Sequence, residues 1–390
     1  MFELFVKLVI ATLLFFTAYI SIGCEGENEE IQTESLHEER PFSDIKTPWD
    51  ISTPEHHGFK SEDFDKFINK IKKDTYVSGL VIVKDGTKIK EYYLNHNRYK
   101  HEQYSVTKSI IGLLVGIAID EGYIDSVNQK LKEFFPEINE YNSSIANITI
   151  EDLLLMRSGV EWNEWEVELD KRDEQGQYKN DWFRMVEKKD SLKFYSDRPL
   201  IHEPGEKWVY NSGDSHVLMK ILKQETGKKP LVFAKENLFE PLNIDSSNVE
   251  WDTAEDGINM GGSGIRMHTK DLAKIGYLIL NNGEYREKQV VSNNWIEKTI
   301  NSKLKIENKD RYRFNKPFQN VSFGYHWWIF NIPEKDLEFI AANGSYGQGI
   351  FIFPDYNLIM AVNSTPMNLE HSDVVLRLCL EIVQILNNEV

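Results

Sequence analysis

The sequence predicts an α+β fold in which one antiparallel sheet is built from both ends of the chain, with a mainly helical region inserted between them. Near the start, residues 79–94 contain two apolar stretches around Asp85-Gly86, a strong signal for a two-residue hairpin. Near the end, residues 348–362 repeat this pattern around Pro354-Asp355-Tyr356. The region from about 110 to 250 has mostly helical periods and long loops. Strands from both termini can then share one sheet, flanked by helices.

Helices are expected on either side of these hairpins. Residues 61–72 have a helical pattern ahead of the first hairpin, and residues 373–386 have one at the end of the chain. The run 110–119 is apolar on nearly every face, which is typical of a helix buried in a core. Two strands are therefore expected to precede a buried central helix that begins near Ser105.

Composition narrows the class of protein. The chain has 390 residues, of which 41% are hydrophobic and 12% aromatic, so it can bury a large core as one large or two ordinary domains. Its 62 acidic residues outnumber its 45 basic residues and leave a net charge of -17. A nucleic-acid partner would need a basic face, so none is expected.

The first 23 residues resemble a lipoprotein-type signal peptide. An apolar stretch follows Lys7, and Ser21-Ile22-Gly23-Cys24 is similar to a lipobox in which Ser21 replaces the usual leucine. Cys24 is then the lipid attachment site, and this N-terminal anchor binds the chain to a membrane of the cell envelope, facing the periplasm or the surface. An uncleaved transmembrane anchor and an ordinary signal peptide are the alternatives. All three interpretations export the chain.

Residues 24–50 are rich in glutamate and poor in aliphatic residues, which predicts an acidic flexible tether. The folded domain is predicted to cover 51–390. Cys379 lies in the last predicted helix and is expected to be a small core residue. The sequence has no His-Glu-x-x-His motif, Cys/His cluster, Walker loop or Gly-x-Gly-x-x-Gly motif, so neither a metal nor a cofactor is expected.

The candidate nucleophile is Ser105, which lies just ahead of the apolar run, with Lys108 three residues further on. Positions i and i+3 share one face of a helix, so the lysine ammonium can reach the serine hydroxyl. The same spacing occurs at Ser43-Lys46 and Ser302-Lys305, but those lysines have no apolar surroundings. A helix-capping serine beside a solvated lysine is the structural alternative at Ser105.

Tyr210 is a candidate second proton carrier. A serine hydroxyl is a poor nucleophile at neutral pH and needs a base within hydrogen-bond reach. An ordinary lysine has a pKa near 10.4, so a lysine that acts as the base needs an apolar setting and a partner that relays protons. Tyr210-Asn211-Ser212 follows a Pro-Gly turn and precedes a helix-like segment. A buried, hydrogen-bonded structural tyrosine is the alternative.

With these residues the chain resembles the serine β-lactamase/penicillin-binding-protein superfamily, in particular class C β-lactamase-like esterases and 6-aminohexanoate-dimer hydrolase. The resemblance covers roughly 51–388. It depends on the shared order of short stretches at 105–108, 153–159, 210–212, 239–242, 261–265 and 271–274. It implies a β-lactamase/transpeptidase-like fold, with Ser105 as the nucleophile and Lys108 and Tyr210 as carriers of its proton.

The third motif of that superfamily, Lys-Thr-Gly or His-Thr-Gly, is best matched by Ala342-Asn343-Gly344. Ala342 stands at the cationic position, so the group that would hold a substrate carboxylate is missing. The backbone N–H groups of Ser105 and Ser345 can form the oxyanion hole. An ordinary glycine-rich turn is the alternative for 344–349. The residues expected to contact substrate are Asn211, Ser212, Asn343, Gly344 and Tyr346.

Weaker candidates surround these motifs. The acidic residues Glu161, Glu164, Glu166, Glu168 and Asp170 are expected to form a solvated face. Core packing is the more favoured interpretation of the aromatic residues that could line the cleft, which are Trp162, Trp165, Trp182, Tyr325, Trp327 and Trp328.

The sequence thus predicts an exported serine hydrolase that cleaves an ester or amide bond of a small-molecule or peptide-like substrate through an acyl-enzyme. One alternative is a D-alanyl-D-alanine carboxypeptidase or a β-lactamase, although the missing cation weakens both. Another is a catalytically silent binding protein that keeps a penicillin-binding-like fold.

Overall fold

A computed structural model describes residues 50–73, 76–96, 99–164, 171–301, 304–306, 314, 316–365 and 371–388. All of them lie in one compact unit, residues 46–390. The predicted signal peptide, Cys24 and the tether up to residue 49 lie outside the described residues, so the boundaries at 23 and 50 stay predictions. Ser43-Lys46, Ser302 and residues 165–170 lie outside them as well.

In the part of the chain that the structure describes, the strands form one large sheet and two small ones. The strands are β1 (Val77–Lys84), β2 (Thr87–Tyr93), β3 (His101–Glu102), β4 (Glu250–Trp251), β5 (Ile265–Met267), β6 (Glu284–Tyr285), β7 (Lys288–Gln289), β8 (Leu304–Lys305), β9 (Val321–Phe323), β10 (Trp328–Ile332), β11 (Leu337–Gly344), β12 (Gln348–Phe353) and β13 (Leu358–Ser364). The large sheet is antiparallel with the order β2-β1-β13-β12-β11-β10-β9-β8. Strands β3, β5 and β4 form a small sheet, and β6 pairs with β7.

Helices occupy the middle of the chain and both faces of the large sheet. The α-helices are α1 (Ser61–Lys73), α2 (Val106–Asp120), α3 (Leu131–Phe134), α4 (Ile138–Tyr141), α5 (Ile150–Leu154), α6 (Asp181–Val186), α7 (Ser191–Ser196), α8 (Ser212–Thr226), α9 (Pro230–Ala234), α10 (Thr269–Leu280), α11 (Asn293–Asn301) and α12 (His371–Leu386). The predicted α+β fold is confirmed, because both terminal hairpins meet in one sheet where β1 pairs with β13.

Alternation along the strands divides the core into two layers. Val81 and Ala361 face the layer that contains α2 and α10, whereas Leu80 and Met360 face the layer that contains α1 and α12. Helix α1 illustrates the cause: Phe64, Phe67, Ile68 and Ile71 recur at helical spacing and are all buried. Cys379 of α12 is a free, buried core residue, as expected.

Helix α2 is the buried centre of the site-bearing layer. All residues from Val106 to Ala118 are buried, which confirms the interpretation of the apolar run. Two glycines allow neighbours to approach closely: a Cβ on Gly112 would lie 2.6 Å from the Tyr325 carbonyl oxygen, and one on Gly116 would lie 2.4 Å from the Trp295 ring. Among the helices that the structure describes, none combines the length and the apolar character needed to cross a bilayer.

Candidate active site

Ser105 lies at the N-cap position of α2, the start of the most deeply buried helix. Within the described residues its hydroxyl makes no capping hydrogen bond, and its backbone is helical, with φ -69° and ψ -10°. The residue before it, Tyr104, has a φ of 45°, which is a strained conformation for a residue with a side chain. Lys108 is only 3% exposed. The structure therefore does not support the alternative of a capping serine beside a solvated lysine.

The structure brings together the three residues that the sequence predicted as the reactive group. The Tyr210 hydroxyl donates a hydrogen bond to Ser105 Oγ at 2.6 Å, and Lys108 Nζ donates one to the same oxygen at 3.2 Å. Lys108 Nζ also lies 4.9 Å from the centre of the Tyr210 ring. One hydroxyl thus contacts both proton carriers. Lys108 Nζ has a further acceptor, the Gly262 carbonyl oxygen, at 2.7 Å.

An aromatic cluster fixes the ring of Tyr210. Trp328 stacks on it with centroids 6.2 Å apart and an angle of 18°. Trp208 packs against both rings, at 6.2 Å from Tyr210 and 5.9 Å from Trp328. Of the six aromatic candidates, Trp328 thus supports a predicted site residue, whereas Trp327 is fully buried in the core. Tyr210 itself is 8% exposed, so its hydroxyl end is held in one place.

The third motif ends β11 beside the start of α2. A Cβ on Gly344 would lie 2.5 Å from the Gln103 carbonyl oxygen, so only glycine fits there. The rings of Tyr346 and Tyr104 are 5.0 Å apart, and Tyr346 also has a positive φ, of 63°. Ser345 therefore lies beside the residues that lead into Ser105. The oxyanion hole formed by the N–H groups of Ser105 and Ser345 remains a prediction.

Comparison with known proteins shows the family to which the chain belongs. The sequence profile of the beta-lactamase family matches residues 64–378, which is most of the chain. The chain belongs to the beta-lactamase family. Members of this family are mostly serine hydrolases.

The similarity to individual relatives is low in sequence identity but extends over most of the chain. The chain is 24% identical over 302 residues to 6-aminohexanoate-dimer hydrolase of Paenarthrobacter ureafaciens, which covers 75% of this chain and 74% of that protein. A Bacillus anthracis structure provisionally described as a 6-aminohexanoate-dimer hydrolase superposes with a TM-score of 0.64 at 21% identity, covering 88% of each chain. EstCE1, a hydrolase with promiscuous acyltransferase activity, gives 0.62 at 14% identity, over 83% of this chain and 98% of EstCE1. At these identities the two structures support the beta-lactamase fold alone.

The residue predicted to stand at the family's third-motif cation position is the apolar Ala342. Ala342 is fully buried in the same core layer as Val106 of α2. Two arginines that could replace the cation are engaged elsewhere: Arg266 makes two hydrogen bonds of 2.7 Å to Asp252, and Arg157 bonds Glu151 at 3.0 Å. Lys309, Arg311 and Arg313 lie outside the described residues.

The structure corrects the expectation that Glu164 belongs to a solvated acidic face. Its carboxylate is buried, accepting hydrogen bonds from Trp162 Nε1 at 2.8 Å, from the Ser212 backbone N–H at 2.9 Å and from the Ser212 hydroxyl at 2.5 Å. Ser212 opens α8, where a carboxylate can satisfy unpaired backbone donors. Glu161, in contrast, is exposed as expected.

Three residues expected to contact substrate are placed differently. Ser212 is fully buried, with its hydroxyl donated to Glu164, and Asn211 is fully buried, with its side-chain oxygen capping α8 through the Asp214 N–H at 3.1 Å. Strand alternation directs the Asn343 side chain to the face of the sheet opposite α2. The first two positions thus form contacts at the start of α8, and contact of their side chains with substrate stays a prediction.

His326 is a neighbour of the site that sequence patterns did not single out. It is fully buried, and its Nε2 lies 3.1 Å from the Ser215 hydroxyl. Burial, together with the nearby charge of Lys108, lowers the pKa of His326 to about 3, so the ring is neutral. Nothing local in the sequence distinguishes it from a surface histidine. Across the described ranges there is no group of three or more His, Cys, Asp or Glu side chains arranged to hold a metal ion.

Proposed function

We propose that this protein is a serine hydrolase that cleaves an ester or amide bond through an acyl-enzyme on Ser105. The observation that supports this most strongly is that Ser105 Oγ lies within hydrogen-bond distance of both Lys108 Nζ and Tyr210 OH. A hydroxyl held between two proton carriers at a buried helix start is a set of contacts that a purely structural serine does not need.

The geometry supports a two-step reaction. Ser105 Oγ attacks the substrate carbonyl carbon while its proton passes to Lys108 or Tyr210, and the carbonyl oxygen takes the negative charge in the predicted oxyanion hole. The C–O or C–N bond then breaks, and the Tyr210 hydroxyl is placed to return the proton to the leaving group. In the second step water attacks the ester on Ser105, gives up its proton to the same carriers, and releases the acid.

Uncharged esters and amides are the proposed substrate class. A substrate carboxylate loses its hydration on binding, and this cost needs a cation in compensation. Alanine occupies the family's cationic position, and Arg157 and Arg266 are paired with carboxylates. The hydrolase and acyltransferase activities named for the relatives are consistent with acyl transfer. Ala342→Lys would not be a simple restoration, because that side chain points into the core.

The test is covalent labelling with a fluorophosphonate probe, followed by peptide mass spectrometry. We expect the probe to be attached to Ser105 in the wild type and no label to be found in Ser105→Ala. Circular dichroism should show that both proteins are folded. Ser302→Ala is the matched control, since Ser302 has the same spacing to a lysine. Label on another residue, or turnover of p-nitrophenyl butyrate by Ser105→Ala at the wild-type rate, would refute the proposal.

Export as a lipid-anchored protein of the cell envelope is a separate proposal, supported by the sequence around Cys24. We expect Cys24→Ser, or treatment of wild-type cells with globomycin, to block processing and membrane retention, because a diacylglyceryl anchor requires that thiol. Unchanged processing and retention of the variant would leave an ordinary signal peptide or a transmembrane anchor as the explanation.

A further inference from the structure

A histidine on α8 lies directly behind the loop that contacts Lys108. His216 is fully buried, and its Nδ1 accepts a hydrogen bond from the Gly261 backbone N–H at 3.2 Å. On the other side of the ring, Nε2 lies 3.1 Å from Asp256 Oδ2. Because Nδ1 is an acceptor here, Nε2 must bear the ring proton and donate it to Asp256. The contacts thus define one neutral tautomer of His216.

Asp256 is itself held in place, so it can orient the ring. Lys220 Nζ donates to Asp256 Oδ2 at 3.0 Å, the Ser191 hydroxyl donates to the same oxygen, and the Ile258 N–H donates to Oδ1 at 3.0 Å. Burial alone would raise the pKa of Asp256, but the hydrogen bonds from His216, Ser191 and Ile258 outweigh it and lower the pKa. The carboxylate therefore remains an ionised acceptor for Nε2.

The loop between His216 and Lys108 has little freedom to move. A Cβ on Gly261 would lie 2.4 Å from His216 Cα, and a Cβ on Gly262 would lie 2.7 Å from both Ser212 Cβ and Trp182 Cε2. The Trp182 ring also packs edge-on against the His216 ring at 5.8 Å. The two glycines thus pack closely against α8 and α6, and the bond from the Gly261 N–H to His216 is the hydrogen bond that anchors this backbone to α8.

That carbonyl sets the orientation of Lys108. Gly262 O accepts an N–H of Lys108 at 2.7 Å. The other contact of Nζ is Ser105 Oγ, at 3.2 Å. The bond to Gly262 O therefore holds Nζ beside the nucleophile and restricts rotation at the end of the Lys108 side chain.

We infer that His216, oriented by Asp256, is a positioning residue that holds the Gly261–Gly262 backbone so that Lys108 meets Ser105 in reactive geometry. This inference rests on the proposed function, in which Lys108 and Tyr210 carry the proton of Ser105. His216 touches neither the substrate nor the reacting atoms, and its effect passes through one backbone amide and the next carbonyl.

Two substitutions of His216 distinguish the contribution of Nδ1 from that of Nε2. The Asn side-chain oxygen in His216→Asn can occupy the place of Nδ1 and accept from Gly261, whereas His216→Gln reaches Asp256 but leaves the Gly261 N–H without its acceptor. We expect His216→Gln to lower the rate of Ser105 acylation by p-nitrophenyl butyrate roughly tenfold, with little change in KM. His216→Asn should stay within about twofold of the wild type.

Controls distinguish this inference from the proposed function and from general loss of stability. Wild type and Ser105→Ala are assayed together: absence of wild-type acylation would refute the proposed function, not the role of His216. Leu222→Ala, a core change on the same helix away from this loop, should lower Tm without lowering the acylation rate. Acylation by His216→Gln at the wild-type rate, or an equal loss in His216→Asn, would overturn the inference.

A measurement on the wild-type protein does not depend on the folding of any variant. Long-range ¹H–¹⁵N correlation spectra of the histidine rings report which nitrogen is protonated. We expect His216 as the Nε2–H tautomer, with Nδ1 unprotonated at neutral pH. An Nδ1–H tautomer or a doubly protonated ring would contradict the acceptor contact with Gly261 and overturn the inference.

Discussion

Removing the buried carboxylate of Glu164 should destabilise the fold strongly. Glu164→Ala leaves three buried donors without an acceptor: Trp162 Nε1, the Ser212 N–H and the Ser212 hydroxyl. A buried donor left unsatisfied costs about 1–3 kcal/mol, and partial relaxation or entry of water reduces the sum. We therefore expect a loss of about 4 kcal/mol in the free energy of unfolding. Glu164→Gln keeps one oxygen acceptor and should lose about half as much.

The assay is equilibrium urea unfolding of the folded domain, monitored by tryptophan fluorescence and by circular dichroism, with m-values compared. Glu161→Ala is the matched control, because Glu161 lies in the same segment but is exposed, and its nearest ion-pair partner, Arg198, is 3.9 Å away. That change should cost less than about 0.5 kcal/mol. A loss below about 1 kcal/mol in Glu164→Ala, or equal losses in both variants, would refute the reasoning from unpaired buried donors.

Three further predictions concern the site. Tyr210→Phe should lower acylation of Ser105 about a hundredfold or more while the stack on Trp328 preserves the fold, as measured by single-turnover kinetics. The pKa of His326 is about 3 in the folded protein and 6.5 as its ordinary value, so between those pH values the unfolded chain binds one more proton than the folded protein. On acidification through this range, the wild type should therefore lose up to about 1.4 kcal/mol of unfolding free energy per pH unit more than His326→Gln does. Urea unfolding at several pH values measures the difference. Short neutral esters should be hydrolysed with higher kcat/KM than benzylpenicillin or a D-Ala-D-Ala peptide in steady-state assays, and the reverse order would contradict the inference from the missing cation.

The architecture of this protein could be predicted because its signals are local. The Asp85-Gly86 turn and the alternation on either side of it define the first hairpin whatever the rest of the chain does. The helical patterns at 61–72 and 373–386 likewise predict helices that need a core, and the structure has helices there. That the two terminal hairpins meet in one sheet was expected from the α+β pattern, although the register of β1 against β13 was not.

Ser105, Lys108 and Tyr210 could be predicted partly from local sequence patterns and partly from the family resemblance. Ser105 and Lys108 are one helical turn apart, so their contact follows from the geometry of a helix alone. Tyr210 is 105 residues further on. The need for a second proton carrier made it a candidate, and the resemblance of the motif order supported that role. The prediction for the acidic segment was less successful: a solvated face was expected for Glu164, yet its carboxylate is buried and accepts hydrogen bonds from Ser212.

The sequence by itself determined the two terminal hairpins, the first and last helices, the buried central helix and the serine–lysine pair, because periodicity, turn chemistry and i, i+3 spacing act over a few residues. Only the tertiary structure decided the distant partners of buried polar groups: Glu164 bonds Ser212, His216 bonds Gly261, and Asp256 bonds His216, across 48, 45 and 40 residues of the chain. A carboxylate or imidazole in a polar loop has the same local pattern whether it faces water or a donor. What distinguishes the two is desolvation, which arises only when separate segments pack together.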